Sequence, residues 1–246
     1  MILFFEIANN FLSVAVKDKK DRILFLNFLD DVTDKKVDEF LDNIPKFKFN
    51  EVLLIQSQVN FSLCPMGADK KAFQDYYQLK YTLGENQKLK TIDNQKFGIK
   101  IIFAKEEWLE KKITGKYGRC DFVFDLNFYL NQLSTSNLWQ IILSKSEILL
   151  LGTQNKKLLL ANRFSIKQID ECIYFLMSSI QQKEVDQATC KVEILGSSDA
   201  GEILKAQLEP YFQKVEIINK TLDFKQYKAT EGDKSFVNQN FILQNI

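Results

Sequence analysis

Apolar and polar positions fall into blocks whose spacing separates strands from helices. Ile2 to Ala8, Phe11 to Lys17 and Arg22 to Phe28 are rich in Phe, Ile, Leu and Val, with turn-forming Asn9-Asn10 and Asp18 to Asp21 between them. After Thr33, a natural N-cap, Val37, Phe40, Leu41 and Ile44 recur at helical spacing until Pro45 stops the run. Glu51 to Gln56 then reads as a short buried strand. The predicted order is β-β-β-α-β.

The same order returns later in the chain. Leu138 to Leu143, Glu147 to Gly152 and Lys157 to Asn162 read as strands, separated by Ser144-Lys145-Ser146 and Thr153 to Lys156. Ser165 is expected to cap a helix whose face carries Ile166, Ile169, Ile173, Leu176, Met177 and Ile180. A strand at Cys190 to Leu195, a turn at Gly196-Ser197-Ser198, a helix through Ile203, Leu204 and Leu208, and a strand at Lys214 to Ile218 complete the series. In the first half, completion comes after an insertion at 57–96. That insertion has a strand at Asn60 to Cys64, a helix around Lys70 to Leu79 and a polar loop from Gly84 to Asn94. Phe97 to Ala104 (strand), Glu106 to Ile113 (helix), Asp121 to Phe124 (strand) and Leu126 to Leu133 (helix) follow. A repeated order of elements is the signature of duplication. The expected fold class is α/β with mixed sheets: a first lobe over 1–134, a second over 135–220, and a partly mobile tail over 221–246 that docks by its apolar end.

Composition narrows the chemistry. Lys plus Arg number 33 against 32 Asp plus Glu, so no global field attracts nucleic acid or anionic lipid. The chain has no His, which removes the usual general base and the Ser-His-Asp and Cys-His arrangements. Cys64, Cys120, Cys172 and Cys190 are too far apart in sequence for a Cys-x-x-Cys clip and read as buried thiols. No apolar stretch reaches about 18 residues and the N-terminus lacks a basic leader, so a cytoplasmic location without membrane insertion is expected.

A three-strand meander followed by alternating helices and strands, present twice, resembles the ribonuclease-H-like unit as paired in actin-like ATPases. Phe97 to Leu133 (FGIKIIFAKEEWLEKKITGKYGRCDFVFDLNFYLNQL) is similar to a segment of PilM-type pilus-assembly and cell-division ATPases. Val192 to Val215 (VEILGSSDAGEILKAQLEPYFQKV) is similar to their adenosine motif. Up to about residue 220 the chain also resembles an uncharacterised bacterial family of that fold, through FSLCPMGA at Phe61 to Ala68 and LLLANRFSIKQIDECIYFLM at Leu158 to Met177. None of these stretches is a catalytic motif, so the resemblance implies shape before chemistry.

The resemblance implies a nucleotide cleft made from an Asp-x-Gly at the end of each lobe's first strand and a glycine turn for adenosine. The matching residues here are Glu6 and Asn9 in the first lobe, Asn137 in the second, and Gly196 and Ser197 at the turn. Ala8 adds a methyl group where bare backbone would approach phosphate, and Ser136-Asn137-Leu138 supplies neither carboxylate nor glycine. Trp139 is expected to bring bulk near the phosphate position. ATP with Mg²⁺ is the one cofactor the resemblance suggests, and hydrolysis is not expected. A nuclease of the ribonuclease-H class would use Glu6 with Asp121 and Asp125, for which Gln56 and Ser57 leave a gap. Tyr76, Tyr77, Lys80 and Tyr81 offer an aromatic and basic contact surface, although packing within the insertion also explains them. Lys111, Lys112, Lys116 and Arg119 form a basic group diluted by Glu106, Glu107 and Glu110. The reading is a non-catalytic actin-like protein acting as an interaction or assembly module with a protein partner, no nucleic acid, and no assignable oligomeric state. A divergent ATP-binding protein and a ribonuclease-H-like nuclease stay open as alternatives.

Overall fold

Alternating apolar side chains at the start of the chain fold as an antiparallel meander, and a helix-linked strand then joins it in parallel. The structure, a computed structural model, describes residues 1–8, 10–57, 60–144, 146–196, 199–219, 222–224 and 240–245. The chain divides into two units. The first runs β1 (Ile2–Ala8), β2 (Phe11–Lys17), β3 (Arg22–Asp30), α1 (Asp34–Asp42), β4 (Glu51–Ser57), β5 (Phe61–Pro65), α2 (Lys70–Lys80), β6 (Gln87–Asn94), β7 (Ile99–Glu106), α3 (Glu107–Tyr117), β8 (Asp121–Phe124) and α4 (Asp125–Gln132). The second runs β9 (Leu138–Leu143), β10 (Glu147–Gln154), β11 (Lys157–Ser165), α5 (Asp170–Gln182), β12 (Lys191–Leu195), α6 (Asp199–Leu208) and β13 (Lys214–Ile218). Within the expected tail, β14 (Asp223–Phe224) belongs to the first unit and α7 (Phe241–Asn245) to the second.

The main sheet of the first unit has the order β14-β3-β2-β1-β4-β8. β1, β2 and β3 are antiparallel, whereas β4 lies parallel to β1 and β8 parallel to β4. Side chains alternate across the sheet, so Leu3, Phe5 and Ile7 share one face. There they pack with Val37, Phe40 and Leu41 of α1 and with Leu109 and Ile113 of α3. Thr33 occupies the N-cap of α1 with extended backbone, but its hydroxyl makes no capping hydrogen bond.

The expected insertion differs from the observed one in two ways. The strand assigned to the main series at Phe97 to Ala104 is β7, and it lies at the centre of a separate three-stranded sheet ordered β5-β7-β6. The expected polar loop from Gly84 to Asn94 is mostly β6, antiparallel to β7 with Gln87 opposite Glu106 and Asn94 opposite Ile99. Lys88 and Lys90 make this strand look like a loop in sequence, yet both ammonium groups reach Glu107, at 2.9 and 2.7 Å. Hydrogen bonding from Lys90, then from Lys88, lowers the Glu107 carboxyl to about 2. Tyr77 of α2 packs with Cys64, Ile102 and Ala104 as this subdomain's small core.

The second unit's sheet has the order β11-β10-β9-β12-β13, antiparallel through β9, β10 and β11, with β12 parallel to β9 and β13 parallel to β12. Leaving aside the small sheet and β14, each unit therefore orders its strands third, second, first, fourth, fifth. Trp139, Ile141, Ile148 and Leu150 pack with Cys172, Leu176 and Ile180 of α5 and with Leu204 and Leu208 of α6. Ser165 closes β11 rather than capping a helix, because Phe164 and Ser165 continue the pairing opposite Ile148 and Glu147. Ile166 and Ile169 precede α5 but still pack on this core. Ile203 points outward and is 51% exposed. Among the described residues, no helix is long and apolar enough to cross a membrane.

Candidate functional site

β1 and β4 run in parallel and end together, and ligands of open α/β sheets bind beyond the carboxyl ends of such strands. Glu6 sits two pairs before the end of β1, on the face opposite Leu3 and Phe5, and is half-buried. Its carboxylate accepts a hydrogen bond from the Ser57 hydroxyl, the last residue of β4, at 2.5 Å. Ser13 lies directly across from Glu6 on β2, and its buried hydroxyl has no hydrogen-bond partner among the described residues. Ala8 closes β1 nearly buried. In the turn that follows, Asn9 lies outside the described residues. Asn10 accepts from the Val32 amide at 2.9 Å and donates to Asp31 at 3.0 Å, which ties the hairpin to the link before α1.

Beside this end of the sheet lies a cavity of about 240 Å³, lined by Ile7, Gln56, Ser57, Tyr77, Gln87 and Glu106 among others. Gln56, 1% exposed, is its central polar group. Its amide donates to the Ala104 carbonyl at 2.8 Å, and its oxygen accepts from the Glu106 amide at 3.1 Å. Those two bonds clamp the end of β7 and the start of α3 onto β4. The Glu106 carboxylate accepts from Gln87 at 2.5 Å and from the Trp108 indole at 3.0 Å. The Tyr77 hydroxyl donates to the Asn60 carbonyl at 3.0 Å, and burial pushes its pKa up, so the phenol stays protonated. The Tyr81 ring lies 4.9 Å from that of Tyr77, with the Lys80 ammonium over it at 5.0 Å, while Tyr76 is exposed. Tyr77 and Tyr81 thus pack within the insertion, as the packing reading of these residues has it.

In the second unit the sequence-predicted residues are not brought to one place. Asn137 precedes β9, and its carbonyl accepts from the Lys191 amide at 3.3 Å. The turn that closes the β9–β10 hairpin, matching Ala8 to Phe11 in the first unit, lies at the other end of β9, at Ser144 to Ser146. There the Ser144 amide and hydroxyl both donate to the Glu147 carbonyl at 2.9 Å, and Lys145 lies outside the described residues. Ser144 is the position missed. Its signal was the Ser-Lys-Ser turn itself, which follows the first strand of this half as the hairpin requires. The stretch before Asn137 is held from β10, where the Thr153 hydroxyl points at the Ser136 and Ser134 carbonyls at 2.7 and 3.0 Å. Trp139 is fully buried in the core. Its indole lies flat against Gly152, where an added Cβ would stand 2.8 Å from the ring. It crowds β10 rather than the hairpin turn, because it is on the second residue of β9.

Gly196 ends β12 with φ at +85°, a conformation that favours glycine, and its amide donates to the Ile218 carbonyl at 2.9 Å. Ser197 lies outside the described residues. Asp125 is the first residue of α4, not a strand residue in line with Asp121, and its carboxylate accepts the Leu126 amide at 2.6 Å. Asp121 pairs instead with Arg119 at 3.0 Å. Among the described residues, no group of three or more His, Cys, Asp or Glu is placed to hold a metal ion. All four cysteines are free, and burial pushes the Cys120 and Cys172 thiols up to about 11, well away from thiolate chemistry.

The arrangement has relatives of known shape. The chain is similar to a protein with actin-like ATPase fold and unknown function from Bacteroides thetaiotaomicron. The two share 17% identity over 88% of this chain and 90% of that one, with a TM-score of 0.71. It is also similar to a chain of the PilM-PilN type IV pilus biogenesis complex, at 8% identity over 99% and 96% of the two chains and a TM-score of 0.50. Identities this low show the fold alone, which is that of the actin-like ATPases. No curated protein matches the chain. The family model for a protein of unknown function, DUF3822, matches residues 1–215, and the chain belongs to that family.

Proposed function

We propose that this chain is a non-catalytic member of the actin-like ATPase fold that serves as a protein-interaction or assembly module. The observation that carries the reading is that, Ser13 apart, the described polar side chains around these strand ends are taken up within the protein. Glu6, Ser57, Gln56, Glu106, Gln87 and Tyr77 are each engaged by a neighbouring protein group. A catalytic site needs donors aimed at the charge that develops in a reaction, and losing one such donor costs about 2.7 to 4 kcal/mol of transition-state stabilisation. Here the Glu6 carboxylate already accepts from Ser57, and the Gly196 amide donates to Ile218.

Thermal melting in millimolar Mg-ATP and Mg-ADP tests this reading. A ligand at 100 times its Kd adds about 2.7 kcal/mol, which moves the Tm of a chain of this size by about 5 to 10 °C. We expect no shift. A rise of that size, lost in Gly196→Trp, would replace this proposal with the divergent ATP-binding reading. The strand, positive-φ glycine and helix at β12, Gly196 and α6 favour that second reading.

A further inference from the structure

At the opposite end of the first unit's sheet, the segment that leads into β4 builds a second cavity, of about 450 Å³. Ile44, Pro45, Phe47, Phe49 and Tyr117 form its apolar lining. Phe49 stands edge-on to Phe47, with centroids 6.2 Å apart, and edge-on to Tyr117 at 5.8 Å. The polar groups around the lining are already committed. The Tyr117 hydroxyl donates to the Leu41 carbonyl at 3.0 Å, and Lys116 is paired with Asp42. Small-molecule sites fix orientation with a few convergent polar groups, whereas of the charged residues lining this cavity Lys116 and Asp42 are paired with each other and Lys46 alone has no ion-pair partner among the described residues. It has instead a basic rim. Lys46 lines the cavity and Lys48 is exposed two residues further along the same loop, both without an ion-pair partner among the described residues, and Asp42 is paired with Lys116.

An apolar cavity with charge confined to its rim is the form of a peptide anchor: one large side chain fills the hole and flanking charges set register and specificity. We propose that this cavity docks an acidic segment of a partner protein, packing one Phe, Trp or Leu against Phe47, Phe49 and Tyr117 with its carboxylates toward Lys46 and Lys48. Cationic ligands, the usual guests of aromatic cages, are disfavoured by the same lysines. This names a partner chemistry for the interaction reading and rests on it. The two fail separately, because the nucleotide melts probe the Gly196 turn, whereas this test probes the Pro45 to Phe49 loop.

The test is selection of a random dodecapeptide library on the immobilised full chain, followed by fluorescence anisotropy with the enriched peptides. Expected are sequences with one large apolar residue flanked by Asp and Glu. Their affinity should fall with added salt and drop at least tenfold in the double variant Lys46→Glu, Lys48→Glu. Phe49→Ser should abolish binding. Because that change also removes core contacts, the lysine variant, which leaves the packing untouched, carries the decision. Enrichment of basic or uncharged peptides, affinity unchanged in the lysine variant, or no enrichment would overturn the proposal. So would concentration-dependent self-association that the lysine variant abolishes, since the occupant would then be a second copy of this chain.

Discussion

Asp18 shows how much one side chain settles in this protein. Its Oδ1 accepts the amides of Lys20 and Arg22, at 2.8 and 3.0 Å, and its Oδ2 takes both Nε and Nη2 of Arg22, at 2.9 and 2.7 Å. Desolvation acts to raise its pKa, but the bonds from Arg22 and Lys20 prevail and hold it at about 2, below its ordinary 3.8. The folded pKa is depressed, so the stabilisation is complete above the ordinary value and is lost as pH falls from about 4 towards 2. Asp18→Asn should therefore be less stable than the parent at pH 7 and converge with it near pH 2, as denaturant unfolding across that range will read. Gly152 offers a second test. Its β-carbon would press into a buried, immobile indole, so Gly152→Ala should cost about 1 to 3 kcal/mol of unfolding free energy. The sequence did not disclose this contact. Trp139 looked like an obstacle at a phosphate site because nothing local places its ring against the strand paired with its own.

At the level of elements, the joint between β4, β7 and α3 depends on Gln56. Removing its amide leaves the Ala104 carbonyl and the Glu106 amide without their partner, and each unsatisfied buried group costs about 1 to 3 kcal/mol. In Gln56→Ala we expect a loss of that order in chemical denaturation, with amide exchange in β5, β6 and β7 accelerating before exchange in β1 and β2. Gln56 was legible in sequence only as a missing nuclease carboxylate, since the partners that give it a role are backbone groups about 50 residues away. The strands of the two meanders were legible because their apolar runs are long and bounded by turn residues. β6 was not, because its lysines are balanced by Glu107, a pairing that only the fold brings about. The shared strand order of the two main sheets was foreshadowed by the repeated β-β-β-α-β pattern. The misplaced Asn137 came from matching a motif to the beginning of β9 when the hairpin turn follows its end.

For the molecule as a whole, the described residues of the C-terminal stretch fall into two elements. β14 extends the first unit's sheet in parallel beyond β3, and α7 buries Ile242, Leu243 and Gln244. Ile242 and Leu243 of the expected apolar end are buried in α7, whereas β14 was unforeseen, since two residues are too few to show a pattern. Deleting residues 223–246 should lower the Tm and raise light scattering on heating, because it bares the edge of β3 and the apolar surface that α7 covers. A truncated chain that melts and stays clear like the parent would refute this.

The placement of β14 also sets an order of events during synthesis. The strand that finishes the first unit's sheet leaves the ribosome only after all five strands of the second unit's sheet have been made. Throughout that interval β3 is an open template for any passing extended chain, and the closing contact is a distant one, entropically slow to form. Slowed translation through the second unit should therefore lower the soluble yield of the full-length protein, and pulse-labelled nascent chains should acquire protease resistance in the first unit last at β3.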